Sequence, residues 1–169
     1  KNMSRTQIAQ ELECNFNTSG ETVVHPDDLA HLKGLVREPK YRTGFDRNYW
    51  IWEEHQPGED YLLIADVARG DGKDSSAFHV FKISNMEQVA EYQGKPSLDM
   101  YSNILSQVGR EYGDALLVVE NVGIGISVLE KLELLGYTNL YYSIKGTHEY
   151  IEQEVAYTNN SSVPGFSTT

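Results

Sequence analysis

The 169-residue sequence contains one cysteine, Cys14, and has no surplus of basic residues. A single cysteine excludes an internal disulfide and a cysteine-based zinc site. Fourteen Lys and Arg residues against 25 Asp and Glu residues give a formal net charge of −11. Domains that bind nucleic acid by charge alone usually carry a basic surplus, so this charge argues against such a protein. Any role on nucleic acid must therefore be local or metal-assisted.

Long apolar runs are also missing from the sequence. No run approaches the length of a membrane span, and the sequence from Lys1 onward lacks the basic-then-apolar layout of a signal peptide. A hydrophobic fraction of 40% and an aromatic fraction of 11% fit a globular domain and argue against disorder. We therefore expect a soluble intracellular protein, with a segment over residues 1–60 that leads into one folded core over residues 61–169.

A predicted β-hairpin over residues 61–83 organises the chain. Its first strand is an apolar run that ends on a carboxylate, Asp66, and a turn-forming loop then leads into a strand over residues 76–83. This second strand has apolar residues on both alternating sets, which predicts burial on both faces. A lone carboxylate that leaves water needs a cation or hydrogen bonds. The alternative is that Asp66 only accepts hydrogen bonds from backbone N–H groups of its own turn.

A second apolar run, residues 115–119, ends in the same way on Glu120 and again predicts a strand buried on both faces. Between the two runs, the pattern predicts a third strand over 86–93 and a helix over 101–112. This connection has the length of a crossover, so the strand before Glu120 can lie beside the first strand and parallel to it. A helix ending at Gly136 and a fifth strand over 139–144 follow.

Parallel neighbours would bring Asp66 and Glu120 together at about 5 Å, one interstrand spacing. Two carboxylates that close repel each other unless a divalent cation lies between them, and oxygen ligands favour Mg²⁺ or Mn²⁺. Glycines that follow both acids allow the backbone to approach a phosphate; they are Gly70, Gly72, Gly123 and Gly125. These features predict phosphoryl transfer through an activated water. Asp74 is the next acid in reach, ahead of Asp71.

The one basic stretch of the chain spans residues 33–47. It could line a path for a phosphate backbone, or it could be a solvated connecting loop. The predicted DNA contacts are this stretch and the basic residues nearest the acids: Lys33, Arg37, Lys40, Arg42, Arg47, Arg69 and Lys73. Trp50 and Trp52 occupy alternate positions of a strand, which favours packing over base stacking.

The motifs together resemble a known protein family. ADVARGDGKDSSAFHVF at 65–81, VAEYQGK at 89–95, VVENVGIG at 118–125, LGYTNLYY at 135–142 and PGFSTT at 164–169 are similar to the nuclease domain of the large terminase subunit of tailed bacteriophages. QELECNFNTSGETVV at 10–24 resembles the piece that precedes that domain. The resemblance implies a ribonuclease-H-like α/β fold with a mixed sheet of about five strands. It also implies a metal-dependent DNA endonuclease that uses Asp66, Glu120 and Asp74 in the host cytoplasm.

Two departures from the family pattern lead to further expectations. No GxxxxGK[ST] loop occurs, so the packaging ATPase domain that the resemblance implies as a partner is absent from this chain. The resemblance also implies double-stranded DNA, a portal and a small terminase subunit as partners, and no membrane. The third catalytic acid of the family follows the PGFSTT-like segment, and its absence predicts a fragment with weak or no activity. An actin-like ATPase fragment and a non-catalytic docking module of the motor stay open as alternatives.

Overall fold

The structure is a computed structural model that describes residues 25–69, 72, 74–145, 149–151, 153–156 and 161–166. The predicted loop residues Gly70, Asp71 and Lys73 lie outside these described residues. The chain divides into two compact units, Lys1–Glu38 and Pro39–Thr169. In the first unit, helix α1 spans Pro26–Leu35. Within the described ranges, no helix is both long enough and apolar enough to cross a bilayer.

A six-stranded mixed sheet forms the centre of the second unit, in the order β1-β2-β5-β4-β3-β6. All neighbours are antiparallel except β3 and β6, which are parallel. This arrangement confirms the predicted antiparallel meander with a parallel strand added through a crossover. The strands are β1 Tyr41–Thr43, β2 Tyr49–Ile51, β3 Tyr61–Asp66, β4 Ser76–Lys82, β5 Glu87–Gly94 and β6 Leu116–Val119. The sheet therefore begins at Tyr41, ahead of the expected start of the core at residue 61.

A second sheet of three strands adjoins β6. It has the order β8-β7-β9, with β7 Tyr142–Ile144, β8 Tyr150–Ile151 and β9 Ser162–Pro164. The predicted fifth strand over 139–144 is divided between the two sheets. Leu140 forms a parallel bridge with Leu117 of β6, whereas residues 142–144 pair with β8 and β9. A short helix, α4, spans Gln153–Ala156.

Two helices pack on one face of the main sheet, α2 over Leu98–Glu111 and α3 over Gly125–Leu134. Helix α2 begins at its N-cap Ser97, whose hydroxyl accepts a hydrogen bond from the amide of Met100 at 3.3 Å. The residues after each helix include a glycine in the left-handed region, Gly113 with φ of 69° and Gly136 with φ of 69°. The sequence predicted Gly136 as the end of its helix, and the structure confirms it.

The core lies between this helical layer and one face of the sheet. Leu63, Ala65, Phe78, Val80, Leu117 and Val119 are buried with the inner side chains of the helices, among them Tyr101, Leu105 and Val128. The opposite face is more open, because none of the described helices of the second unit covers it. His79 and Ile64 are exposed, and Leu116 and Val118 are half-buried. The predictions that β4 and β6 are buried on both faces are therefore wrong.

Candidate metal centre and active site

Asp66 and Glu120 stand at the carboxyl ends of the two parallel strands. Asp66 is the last residue of β3, and Glu120 follows the last residue of β6. The final pair of the parallel ladder joins Ala65 to Val119, so the two acids occupy the next position of the same register. Neighbouring strands lie about 4.8 Å apart. The structure thus brings these two predicted site residues side by side.

The two carboxylates also share one face of the sheet. Side chains alternate along a strand, so Asp66 lies on the side of Ile64, and Glu120 lies on the side of Val118. Ile64 and Val118 are register partners in the parallel ladder, so their side chains point to one side. This is the open face, away from helices α2 and α3. The acids therefore project from the accessible side of the sheet end.

Asp66 differs from the prediction in its exposure. The sequence predicts a carboxylate withdrawn from water, whereas Asp66 is exposed and Glu120 is half-buried. The cost of burying an unpaired charge therefore does not arise at Asp66, since water reaches it. Because Asp66 is exposed, a cation held there could keep part of its own water shell, as Mg²⁺ usually does.

A cleft of ≈ 520 Å³ opens beside Asp66. Asp74 and Arg69 line it together with Asp66, and the full lining is Asp66, Val67, Ala68, Arg69, Gly72, Asp74, Ser75 and Ile124. The structure thus places Asp74 in the same cleft as Asp66, although Glu120 is not part of the lining. Within the described part of the chain, no three His, Cys, Asp or Glu residues are grouped closely enough to hold an ion. The three predicted acids therefore do not form one cluster.

The backbone at Asp66 is held from the helical layer. The hydroxyl of Tyr101, on α2, lies 2.6 Å from the carbonyl oxygen of Ala77 and 3.0 Å from that of Asp66. Burial raises the pKa of Tyr101, so its hydroxyl keeps the proton that it donates. Ser76 closes the same loop, since its hydroxyl accepts a hydrogen bond from the amide of Ala68 at 3.0 Å. The sequence marked Tyr101 only as a residue of the helix face.

The backbone at Glu120 is held from its other side by the segment 164–166. Glu120 and Phe166 form a parallel bridge. The amide of Phe166 donates to the carbonyl of Val119 at 2.9 Å, and the amide of Asn121 donates to the carbonyl of Phe166 at 2.9 Å. The side-chain amide of Asn121 also donates to the carbonyl of Pro164 at 2.9 Å. The PGFSTT-like motif therefore contributes Pro164 to Phe166 to the edge of the candidate site.

The predicted basic stretch is divided between the two units of the chain. Lys33, in the last turn of α1, and Arg37 belong to the first unit, whereas Lys40, Arg42 and Arg47 belong to the second. The stretch is therefore not one element. Lys40 pairs with Glu54 at 3.0 Å, and this hydrogen bond raises the pKa of Lys40.

Arg42 lies on the same sheet face as the two acids. Its guanidinium lies 4.4 Å from the ring centroid of Trp50, to which it is paired in register. Trp50 is paired with Glu91, Glu91 with His79, and His79 with Ile64. Directly paired residues point to one side of a sheet, so this row runs from Arg42 to the strand that ends at Asp66. The indole N–H of Trp50 donates to the carbonyl of Arg47 at 2.8 Å, so Trp50 is held beside the edge strand β1.

The structure adds a further cation, Lys95, which the sequence did not indicate. The ammonium of Lys95, in the connection between β5 and α2, donates to the carbonyl of Gly72 at 2.9 Å. Lys95 thus ties the loop between Asp66 and Asp74 to the end of a neighbouring strand. Arg69, in the same loop, is exposed and lines the cleft.

Solved structures that resemble this chain include large terminase nucleases of phages. The large terminase nuclease from thermophilic phage G20c with bound magnesium is 22% identical over 63% of this chain and 54% of that chain, with a TM-score of 0.53. The same nuclease with bound zinc gives 22% identity over 63% and 59% of the chains, with a TM-score of 0.53. The Thermus phage P74-26 large terminase nuclease domain is 21% identical over 63% of this chain and 52% of that chain, with a TM-score of 0.51.

These likenesses establish the fold of the chain, which is that of the family its motifs resemble. The chain spans about half the length of the solved chains that it matches. No protein-family model matches the sequence, and no curated protein matches it.

Proposed function

We propose that this chain is a metal-dependent DNA endonuclease domain of a viral packaging terminase. Its substrate would be concatemeric double-stranded DNA in the host cytoplasm, cut at phosphodiester bonds during genome packaging. One observation carries the proposal: Asp66 and Glu120 occupy matching positions at the ends of two parallel strands and share one open face. The fold that positions them is shared with phage large terminase nucleases.

The donor atoms at this sheet end fit a hard divalent cation. Asp66 and Glu120 would hold the ion, and Asp74 would assist from the cleft that it shares with Asp66. All of these donors are carboxylate oxygens, which suit Mg²⁺ or Mn²⁺ better than softer metals. The bound ion supplies an activated water and neutralises charge on the phosphate. Two metal ions in the full site would follow the common pattern of such nucleases.

The residues around the acids suit a DNA backbone. Arg69 is exposed at the cleft, where its guanidinium can donate two parallel hydrogen bonds to a phosphate. Arg42 stands on the same sheet face, and four strand spacings between β1 and β3 give roughly 19 Å. We propose that the DNA runs along this face from Asp66 towards Arg42. The other proposed contacts are Lys33, Arg37, Lys40, Arg47 and Lys73.

The partners of the domain are proposed on the same basis. A packaging ATPase would deliver the DNA, and a portal and a small terminase subunit would complete the assembly. The formal net charge of −11 leaves the phosphate backbone repelled by most of the surface. Local basic residues and bound metal must therefore supply the attraction, so binding should weaken steeply when the metal is removed.

The experiment is nicking of supercoiled plasmid with Mn²⁺ or Mg²⁺, compared with the same reaction in a chelator. We expect metal-dependent nicking that is lost in Asp66→Asn and in Glu120→Gln. Each variant replaces one charged carboxylate with a neutral amide of nearly the same size. Both variants should stay folded, since removing one of two like charges relieves repulsion in the metal-free protein.

Asp60→Asn is the matched control, because Asp60 is an exposed acid that precedes the opposite end of β3. It should nick as the unchanged chain does. Nicking that survives Asp66→Asn would contradict the assignment, and so would unfolding of either site variant. Hydrolysis of ATP without plasmid nicking would favour the ATPase alternative. The absence of both activities would favour the docking module.

A further inference from the structure

Strand β3 presents Asp66 at the point where the sheet ladder stops. The last antiparallel pair joins Asp66 to Ala77, and the described residues between Asp66 and Ser76 lie outside the sheet. A strand end with a solvent-exposed loop beyond it belongs to the regions that open most easily. A metal ligand at that position needs a fixed backbone, because catalytic geometry tolerates displacements of only about 0.5 Å.

Tyr101 supplies a contact at this point from beneath the sheet. Its side chain is fully buried, and its single hydroxyl hydrogen is shared between the carbonyls of Asp66 and Ala77, at 3.0 Å and 2.6 Å. These two carbonyls belong to the last pair of the ladder, one from each strand. The bond therefore fixes both strands at the position where they separate.

The contact is directed to the main chain of Asp66 and not to its carboxylate. Both carboxylate oxygens thus keep their capacity to bind a ligand on the open face. The ring of Tyr101 lies in the core, where its centroid is 6.2 Å from that of the Tyr92 ring of β5. Helix α2 and the central strands therefore locate the hydroxyl, so the contact joins the packed core directly to the candidate metal ligand.

The same kind of bond occurs elsewhere without a candidate ligand beside it. The hydroxyl of Tyr112, which directly follows α2, donates to the carbonyl of Glu53 at 2.7 Å. Tyr112 is 3% exposed and Tyr101 is 0% exposed, so both side chains are buried. Glu53 lies shortly after β2, which is four strands away from β6 in the sheet order. Tyr112 thus offers a comparison for the structural part of the contact alone.

We propose that Tyr101 is a positioning residue for the candidate metal centre, which acts by holding the backbone of Asp66. This role rests on the function proposed above, since it assumes that Asp66 binds the ion. Outer contacts that orient metal ligands typically change metal affinity by about 10–100-fold when they are removed. Loss of the hydroxyl should therefore weaken metal binding while the ring continues to fill the core.

The test compares Tyr101→Phe with Tyr112→Phe. Mn²⁺ binding is followed through the electron paramagnetic resonance signal of the free aquo ion, and thermal melts measure stability. We expect Tyr101→Phe to weaken Mn²⁺ binding about tenfold and Tyr112→Phe to leave it unchanged, with similar losses of melting temperature. The Mn²⁺ concentration for half-maximal nicking should rise by the same factor in Tyr101→Phe, and excess Mn²⁺ should restore most of the rate.

Several outcomes would overturn the positioning role. Unchanged Mn²⁺ affinity in Tyr101→Phe would do so, as would equal weakening in both variants, because a purely structural bond affects both alike. Mn²⁺ binding by the unchanged chain without any nicking would overturn the nuclease function and leave the role of Tyr101 intact. Absence of Mn²⁺ binding by the unchanged chain would overturn both.

Discussion

Gly125 lies directly against the carbonyl oxygen of Glu120, so that a β-carbon at residue 125 would overlap that oxygen. Gly125 is the first residue of α3 and is buried. The sequence indicated this glycine as one that lets the backbone approach a phosphate. The structure gives it a second task, which is to let the helix begin immediately beside the candidate metal ligand.

Gly125→Ala should destabilise the protein and disturb the site together. The alanine methyl would meet the backbone at Glu120. Hydrogen bonds with Phe166 hold this backbone on both sides of Glu120, so it cannot move aside freely. Overpacking of this kind costs about 1–3 kcal/mol, to be measured by urea denaturation. Gly34→Ala is the control, since nothing lies within 4 Å of the added carbon and α1 should gain stability. Unchanged stability in Gly125→Ala would contradict the close approach.

Buried tyrosines should make the protein sensitive to alkaline pH. Burial raises the pKa of Tyr49, Tyr101, Tyr112 and Tyr137. The unfolded chain releases these protons near pH 10, whereas the folded chain retains them. The contribution of these tyrosines to the free energy of unfolding is therefore fully present below about pH 10, and it is lost as the pH rises further. Absorbance of tyrosinate should increase together with loss of circular dichroism. Ionisation of all tyrosines in a folded chain would refute this expectation.

The proposed DNA path predicts a change in salt dependence. Arg42→Glu and Arg69→Glu should each weaken binding uniformly across DNA sequences and lower the salt slope by about 0.9 for each lost phosphate contact. Fluorescence anisotropy with labelled duplex DNA at several salt concentrations measures this. Lys131→Glu is the matched control, because Lys131 lies on α3, on the opposite side of the sheet from the acids, where it pairs with Asp99 at 3.0 Å. An unchanged slope in Arg42→Glu would remove that edge from the path.

The pairing of Asp66 with Glu120 could be predicted because it depends on local patterns and one topological rule. Two apolar runs, each ending on an acid, and a crossover between them are enough to place the acids together. The contact of Tyr101 with Asp66 joins residues 35 positions apart through one hydroxyl, and helical periodicity carries no information about it. The bridge of Glu120 with Phe166 likewise depends on how a second sheet docks.

The exposure of the sheet could not be predicted for a different reason. An apolar run shows that a strand can be buried on both faces, but it does not show how many layers cover it. Leu116 and Val118 are half-buried because only one helical layer packs among the described residues. The same open face leaves Asp66 accessible to water, whereas the sequence predicted a carboxylate withdrawn from water.

A third carboxylate in the cleft should strengthen metal binding, and this can be supplied at residue 124. Among the described residues no three potential ligands are grouped, so the proposed site should bind a second ion weakly. Ile124 lines the cleft with Asp66 and directly precedes the first residue of α3. Ile124→Asp should tighten Mn²⁺ binding about tenfold, equivalent to about 1.4 kcal/mol, and increase nicking.

Ile126→Asp is the matched control for this change. It adds the same charge nearby, at a residue of α3 that is 48% exposed and does not line the cleft. Calorimetric titration with Mn²⁺ gives both the affinity and the number of ions bound for each variant. If charge alone attracted the metal, both variants would improve equally, and the cleft would not be the ligand site. A gain confined to Ile124→Asp would mean that the weak activity expected of this chain reflects a missing ligand beside Asp66.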